Sequence, residues 1–343
     1  MVASPVKKMI FMVLACSTLA FNAAVAQEAT ANADKKINIT PTIEPATDNE
    51  KKRIEESQKA ISKADENADI AYGFYQRGLY LSALNAAIDL AEKNDAAAQT
   101  LLGELYRGGL GVNQNLETAL SWYTLGADNG NREAAFQLGI MYLDGIGTEK
   151  DRVKAAKYFM VAADKGHVLG LYNIGLMYLA GDTLERNFDK AAPRLLQAAK
   201  EGNHDAQFAI AELYRQGKGV VKDEILATLY YGKAARGGHD TAQLEYANRL
   251  LTGNGIGKNE DDAALWYVGT AHKGNAIAQN RLAHLYREGK GVPRDPVNAA
   301  SWHMISKKQG FQDVVLDSFI EELDAEALEM AKSKARNWKP SVK

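Results

Sequence analysis

Three residue columns recur every 36 positions along this chain without an insertion. Gly109, Gly145, Gly181, Gly217, Gly253 and Gly289 form the first. Ala119, Ala155, Ala191, Ala227, Ala263 and Ala299 form the second, and Gly130, Gly166, Gly202, Gly238, Gly274 and Gly310 the third. A fixed period of this length marks a repeat array, in which each unit buries its apolar face by stacking on its neighbours. Arrays of this kind usually act by surface recognition and not through a buried catalytic cleft.

The unit from Ala98 to Glu133 shows what each column does. Ala98, Leu102, Leu105 and Tyr106 fall on one stripe of an α-helix, helix A of the unit. A small-residue column (Gly103, Gly139, Gly175, Ala211, Ala247, Ala283) predicts close approach of helix A to a neighbouring backbone. The aromatic column Tyr106, Tyr142, Tyr178, Tyr214 and Tyr286 is expected beside it, with Leu250 in the fifth unit. A loop such as Gly109-Leu110-Gly111-Val112 then ends helix A through positive φ. It lacks the preceding strand and the Lys-Ser/Thr ending of a phosphate loop. Asn115, Asp151, Asn187, Asp223, Asn259 and Asp295 predict N-caps for helix B, with Pro296 at a first helical position. Helix B ends at the Gly130 column. The third unit carries Pro193, Arg194 and Leu195 around the position of its siblings' aromatic pair, and Thr183 in place of the second loop glycine, which predicts local distortion there.

The ends read differently. Lys7 and Lys8, the apolar run Met9 to Phe21 and Ala24-Val25-Ala26 give residues 1–26 the form of a signal peptide. The apolar run is too short for a membrane span. The expected location is the periplasm or the extracellular space. Val13-Leu14-Ala15-Cys16 also resembles a lipobox, a weaker reading that would anchor the chain to the envelope through Cys16. Residues 27–48 read as a flexible arm with an apolar strip at Ile37, Ile39 and Ile43. Residues 49–97 predict a helix and a tetratricopeptide-like cap, with Ala83 and Asn94 in phase with the later columns. The six repeats occupy 98–310, and 311–343 predict capping helices. Formal charge is −2, and −4 once residues 1–26 with their two lysines are removed, which argues against a nucleic-acid partner.

Together the motif A-x-x-x-L-G-x-x-Y-x-x-G-x-G-V and the following D/N-x-x-x-A-x-x-W-Y-x-x-A-A-x-x-G resemble the Sel1-like repeat, a longer-looped relative of the tetratricopeptide repeat. The resemblance implies an all-α fold, a right-handed α-solenoid of helical hairpins. It further implies a non-catalytic protein-interaction scaffold of the bacterial envelope, with regulation of a membrane sensor as one role. A subgroup with a disulfide in each repeat is linked to β-lactam binding. This chain's single cysteine, Cys16, is outside the repeats, so nothing transfers from that subgroup.

Positions equivalent to Thr100, Glu104 and Arg107 lie opposite the packed stripe of helix A. In the second and third units they read Phe136, Ile140, Leu143 and Tyr172, Leu176, Leu179, with Leu169 just before and Phe208, Glu212 and Arg215 after. With repeats about 10 Å apart, these residues predict an apolar patch rimmed by charge, a concave groove for an extended or helical segment of another protein. Packing against the next helix A is the competing expectation. Histidines His167 and His239 share a column but stand two repeats apart, and no HExxH or CxxC spacing occurs, so no metal, cofactor or catalytic residue is assigned. A cell-wall or β-lactam hydrolase and a purely structural spacer are the alternatives.

Overall fold

The computed structural model describes residues 70–341. The signal peptide, Cys16 and the arm at 27–48 lie outside the described residues. A short helical run at 70–76 is followed by α1 (Tyr80–Ala91). Six helices of type A then alternate with six of type B. The A helices are α2 (Ala96–Gly108), α4 (Arg132–Asp144), α6 (Val168–Ala180), α8 (His204–Gln216), α10 (Asp240–Thr252) and α12 (Ala276–Glu288). The B helices are α3 (Leu116–Asp128), α5 (Arg152–Asp164), α7 (Phe188–Lys200), α9 (Glu224–Arg236), α11 (Glu260–His272) and α13 (Pro296–Lys308). Two further helices, α14 (Val314–Glu321) and α15 (Ala325–Asn337), follow. The fold is all-α, built of helical hairpins, and no strand occurs among the described residues.

Each hairpin is closed by one residue acting twice. The side chain of Asn115 accepts from the Thr118 N–H at 3.0 Å, and Asp151, Asn187, Asp223, Asn259 and Asp295 cap their B helices in the same way. The backbone N–H of the same residue donates back to the end of helix A, from Asn115 to the Tyr106 carbonyl at 2.9 Å and from Asn259 to the Leu250 carbonyl at 2.8 Å. The cap satisfies an otherwise orphaned helix donor, worth about 1 kcal/mol. Its return bond fixes how far helix B starts from the end of helix A. The other junction uses the Gly130 column, all at positive φ, and Asn94 (φ 64) occupies the equivalent place before the first repeat.

The second loop glycine sets the stacking of one hairpin on another. A methyl group at Gly147 would stand 2.6 Å from Leu116 Cβ. At Gly219, Gly255 and Gly291 it would overlap the carbonyl oxygens of Phe188, Glu224 and Glu260, at the start of the preceding B helix. The glycines therefore serve the contact as well as the turn. The small column on helix A has a different role from the one its size predicts. At Gly103 and Gly175 the nearest occupant of the space is a side chain from helix B, the Tyr123 ring (2.7 Å from an added Cβ) or Leu195 (2.7 Å), with the Ala191 carbonyl farther off at 3.6 Å beside Gly175. Pro193 sits inside α7, which nevertheless keeps the 13-residue length of the other B helices.

The described chain comprises two compact units, residues 70–158 and 159–341. In the first, Ala83, Ala87, Ala91, Ala98, Leu102 and Leu105 form a buried cluster. In the second, Tyr267, Leu282, Leu285, Trp302 and Ile305 form another, joined by Leu316 of α14 and Ala335 of α15. The two C-terminal helices thus supply apolar cover to the last hairpin, which has no following repeat among the described residues. Leu102, Leu138, Ile174, Ile210 and Leu282 are all fully buried. Each contributes about 2 kcal/mol of hydrophobic stabilisation.

Gly255→Ala should destabilise the second unit by about 2–4 kcal/mol, through positive-φ strain and overlap with Glu224. Gly257→Ala, where an added methyl meets nothing within 4 Å, should change stability by under about 0.5 kcal/mol. Urea unfolding of the two variants measures the difference.

Candidate functional site

The face of helix A opposite its packed stripe is not one open trough. Phe136 is 8% exposed, Tyr172 1%, Leu176 8% and Phe208 8%. These four residues of the expected groove are core, a correction to the sequence reading. The cause is visible at Phe208. Its ring stacks on His239, the residue that caps the next A helix, with centroids 4.4 Å apart, and meets the tilted ring of Tyr231 of its own hairpin at 5.7 Å. The same column one hairpin row from the C-terminus holds Asn280, whose amide donates to Asp313 at 3.0 Å. A helix in a stack is covered on more than one side, so this column faces the following hairpin. Tyr172 is enclosed enough for burial to push its phenol well above the usual range.

The neighbouring column explains the alternation of apolar and charged units. Tyr123 of α3 donates its hydroxyl to Glu104 of α2 at 2.7 Å, and Arg107 pairs with Glu104 at 2.6 Å. Tyr231, Glu212 and Arg215 repeat the trio, with a short Tyr231–Glu212 hydrogen bond and a 2.7 Å ion pair. Arg215 and the Tyr231 hydroxyl both hydrogen-bond the Glu212 carboxylate and hold it below its usual range, against the opposing effect of burial. Where the glutamate column becomes Leu176, the facing B-helix column becomes Leu195 and the arginine column Leu179. In the second repeat the three columns read Ile140, Phe159 and Leu143. In the third repeat the apolar column is therefore matched by the chain's own B-helix column.

What remains accessible in the second unit is smaller. Leu169 is 42% exposed, Leu179 and Glu212 are half-buried, and Arg215 is exposed. In the first unit, Ile140 and Leu143 are half-buried.

Two polar devices escaped the sequence reading. Gln99, Gln207, Gln243 and Gln279 are buried, and each donates its side-chain amide to a carbonyl eight residues earlier, at the end of the preceding B helix (Gln279 to Ala271 at 3.1 Å). The oxygen of Gln99 accepts from Asn129 and that of Gln279 from Gln309, so one side chain stitches consecutive hairpins. Their 36-residue spacing was the available signal. Arg249 occupies a column that is otherwise leucine or methionine and is only 2% exposed. It donates to Glu224 at 3.0 Å and Thr228 at 2.9 Å, and lies 4.7 Å over the Tyr231 ring.

His167 and His239, which share a column, both act as helix caps. Each accepts a backbone N–H at Nδ1, from Gly170 and Ala242 respectively, both at 3.1 Å, as the cap of an A helix. No cluster of three potential metal ligands occurs among the described residues. No described helix is long and apolar enough to cross a membrane.

The Sel1 repeat model matches residues 96–131, 132–167, 168–203, 204–239, 241–268 and 276–310. Among solved structures, the chain is similar to a protective antigen of uropathogenic Escherichia coli displaying an SLR fold, at 27% identity and a TM-score of 0.67. That alignment covers 82% of this chain and 63% of the antigen, so the chain spans less than two thirds of it. It is also similar to a Sel1 repeat protein from Oxalobacter formigenes, at 32% identity and a TM-score of 0.58, over 72% of this chain and 99% of that one. No curated protein matches the chain.

The His239 cap carries a pH dependence. Burial holds this histidine below its usual 6.5, with Asp205 (3.7 Å) and Asp240 opposing and His204 reinforcing the shift. The unfolded chain thus binds the proton more readily, and the cap's contribution is present above pH ~6.5 and is lost as pH falls below it. His239→Asn keeps a cap that does not titrate, as Asn203 and Asn275 do. Between pH 7 and 5 the wild type should lose about 1 kcal/mol more than this variant in urea titrations.

Proposed function

The chain belongs to the Sel1 repeat family, and on that premise we propose that it is a non-catalytic, exported scaffold that binds a segment of another protein. One observation carries this reading. The columns that hold hairpins together repeat with period 36, whereas the accessible positions on the A helices differ from unit to unit. On two successive A helices of the second unit, α6 presents an exposed Leu169 and a half-buried Leu179, and α8 presents Arg215, which stays exposed beside its partner Glu212. A short surface of that composition suits a peptide segment carrying one apolar anchor and an acidic group. The signal-peptide form of residues 1–26 supports an encounter in the envelope. Regulation of a membrane-bound sensor is one role that such a scaffold fills.

The E. coli antigen is described as protective, a term that refers to that protein. The Glu212–Tyr231–Arg215 trio is satisfied within its own hairpin, and it serves here as a rigid edge beside the binding residues, not as chemistry.

Leu169→Glu combined with Leu179→Glu should abolish a specific crosslink formed in the exported compartment while leaving helical circular dichroism unchanged. A crosslink that survives the double variant, or turnover of a chromogenic β-lactam by the purified protein, would contradict the reading.

A further inference from the structure

At the C-terminal end of the second unit lies a depression of about 410 Å³ outside the helix A face. Lys273 follows α11, Lys308 ends α13 and Arg336 lies in the last turn of α15, so three hairpin elements bring three cations to one wall. Trp338 and Ile305 supply apolar lining, and no aspartate or glutamate lines the depression among the described residues. The obvious internal purpose of these cations is to offset helix C-termini. A helix end carries about half a negative charge, so three ends offset only part of the three cations, with Asp240 near Lys273 and Glu329 near Arg336 offsetting more from outside the depression. Their hydrogen bonds are likewise incomplete. Lys308 gives one donor to the Ala335 carbonyl at 3.1 Å, and Lys273 one to Gln243 at 3.1 Å with Asp240 at 4.0 Å, whereas an ammonium has three donors. The indole N–H of Trp338 is buried and has no acceptor among the described residues.

We propose that this depression binds a carboxylate presented by a peptide, with the apolar side chain beside that carboxylate set against Trp338. The cations attract the oxyanion. Trp338, edge-on to Trp302 at 6.0 Å, makes the wall rigid and apolar enough to prefer an amino-acid carboxylate to a bare inorganic anion. The inference deepens the protein-recognition reading and rests on it, but it concerns a different surface, so each test fails independently.

The test uses the full chain labelled with ¹⁵N at its four tryptophans, with Trp338→Phe assigning the Trp338 indole signal. N-acetyl-leucine should move that signal in a saturable titration and leave Trp122 in place. N-acetyl-leucinamide, which lacks the carboxylate, should not move it. Arg336→Gln alone, and Lys308→Gln with Arg336→Gln, should weaken the response progressively, the pair by about tenfold or more, while the Trp122 and Trp302 signals report an intact fold. The proposal is overturned if N-acetyl-leucine produces no shift, if the amide acts equally, or if the double variant responds as the wild type does. Inorganic phosphate shifting Trp338 as strongly as N-acetyl-leucine would overturn the peptide assignment.

Discussion

The residue that caps each B helix and also bonds back to its A helix is the constraint on which the rest depends. Burial supplies more energy, about 2 kcal/mol per leucine against about 1 kcal/mol per cap. Burial alone, however, does not choose one angle between two helices. The doubled bond at Asn115, Asp151, Asn187, Asp223, Asn259 and Asp295 gives each hairpin the same start for its second helix. The second loop glycine then lets the next hairpin approach to backbone contact. Shared geometry from these two features is what permits one apolar pattern to serve repeat after repeat.

Within that frame, polar groups in the interior are arranged in sets. Glu104 appears with Tyr123 and Arg107, and Glu212 with Tyr231 and Arg215, because an unpaired hydroxyl or carboxylate in these positions would be costly. Arg249 follows the same logic more expensively. Removing its partner Glu224 would strand a buried guanidinium, whereas a leucine there would match the equivalent columns. The buried glutamines add bonds between hairpins, each giving a second donor to a helix-end carbonyl that already accepts a backbone N–H from the following turn.

The hairpins, their loops and their caps were legible in the sequence because the six units, Thr183 in one loop excepted, obey the same steric demand at those positions, and period 36 displays it. The fate of Phe136, Tyr172 and Phe208 was not. A helical wheel for one helix shows a single packed arc, and it omits the neighbour that covers the other side, such as His239 against Phe208. The Leu176 and Leu195 pairing needed two columns 19 residues apart to be read together, although both columns were present in the sequence. Accessible residues such as Leu169 carry no periodic signal, since no packing demand fixes them. The depression beside Trp338 depends on how α15 lies against α13, which no repeat column encodes.

Amide hydrogen exchange at the six B-helix cap residues tests the central constraint most directly. If the return bonds to helix A hold each hairpin, these loop amides should exchange within about tenfold of amides inside the B helices, because opening one requires opening the hairpin. Exchange as fast as that of an unbonded peptide, with the helices still protected, would show that the hairpin geometry is set elsewhere.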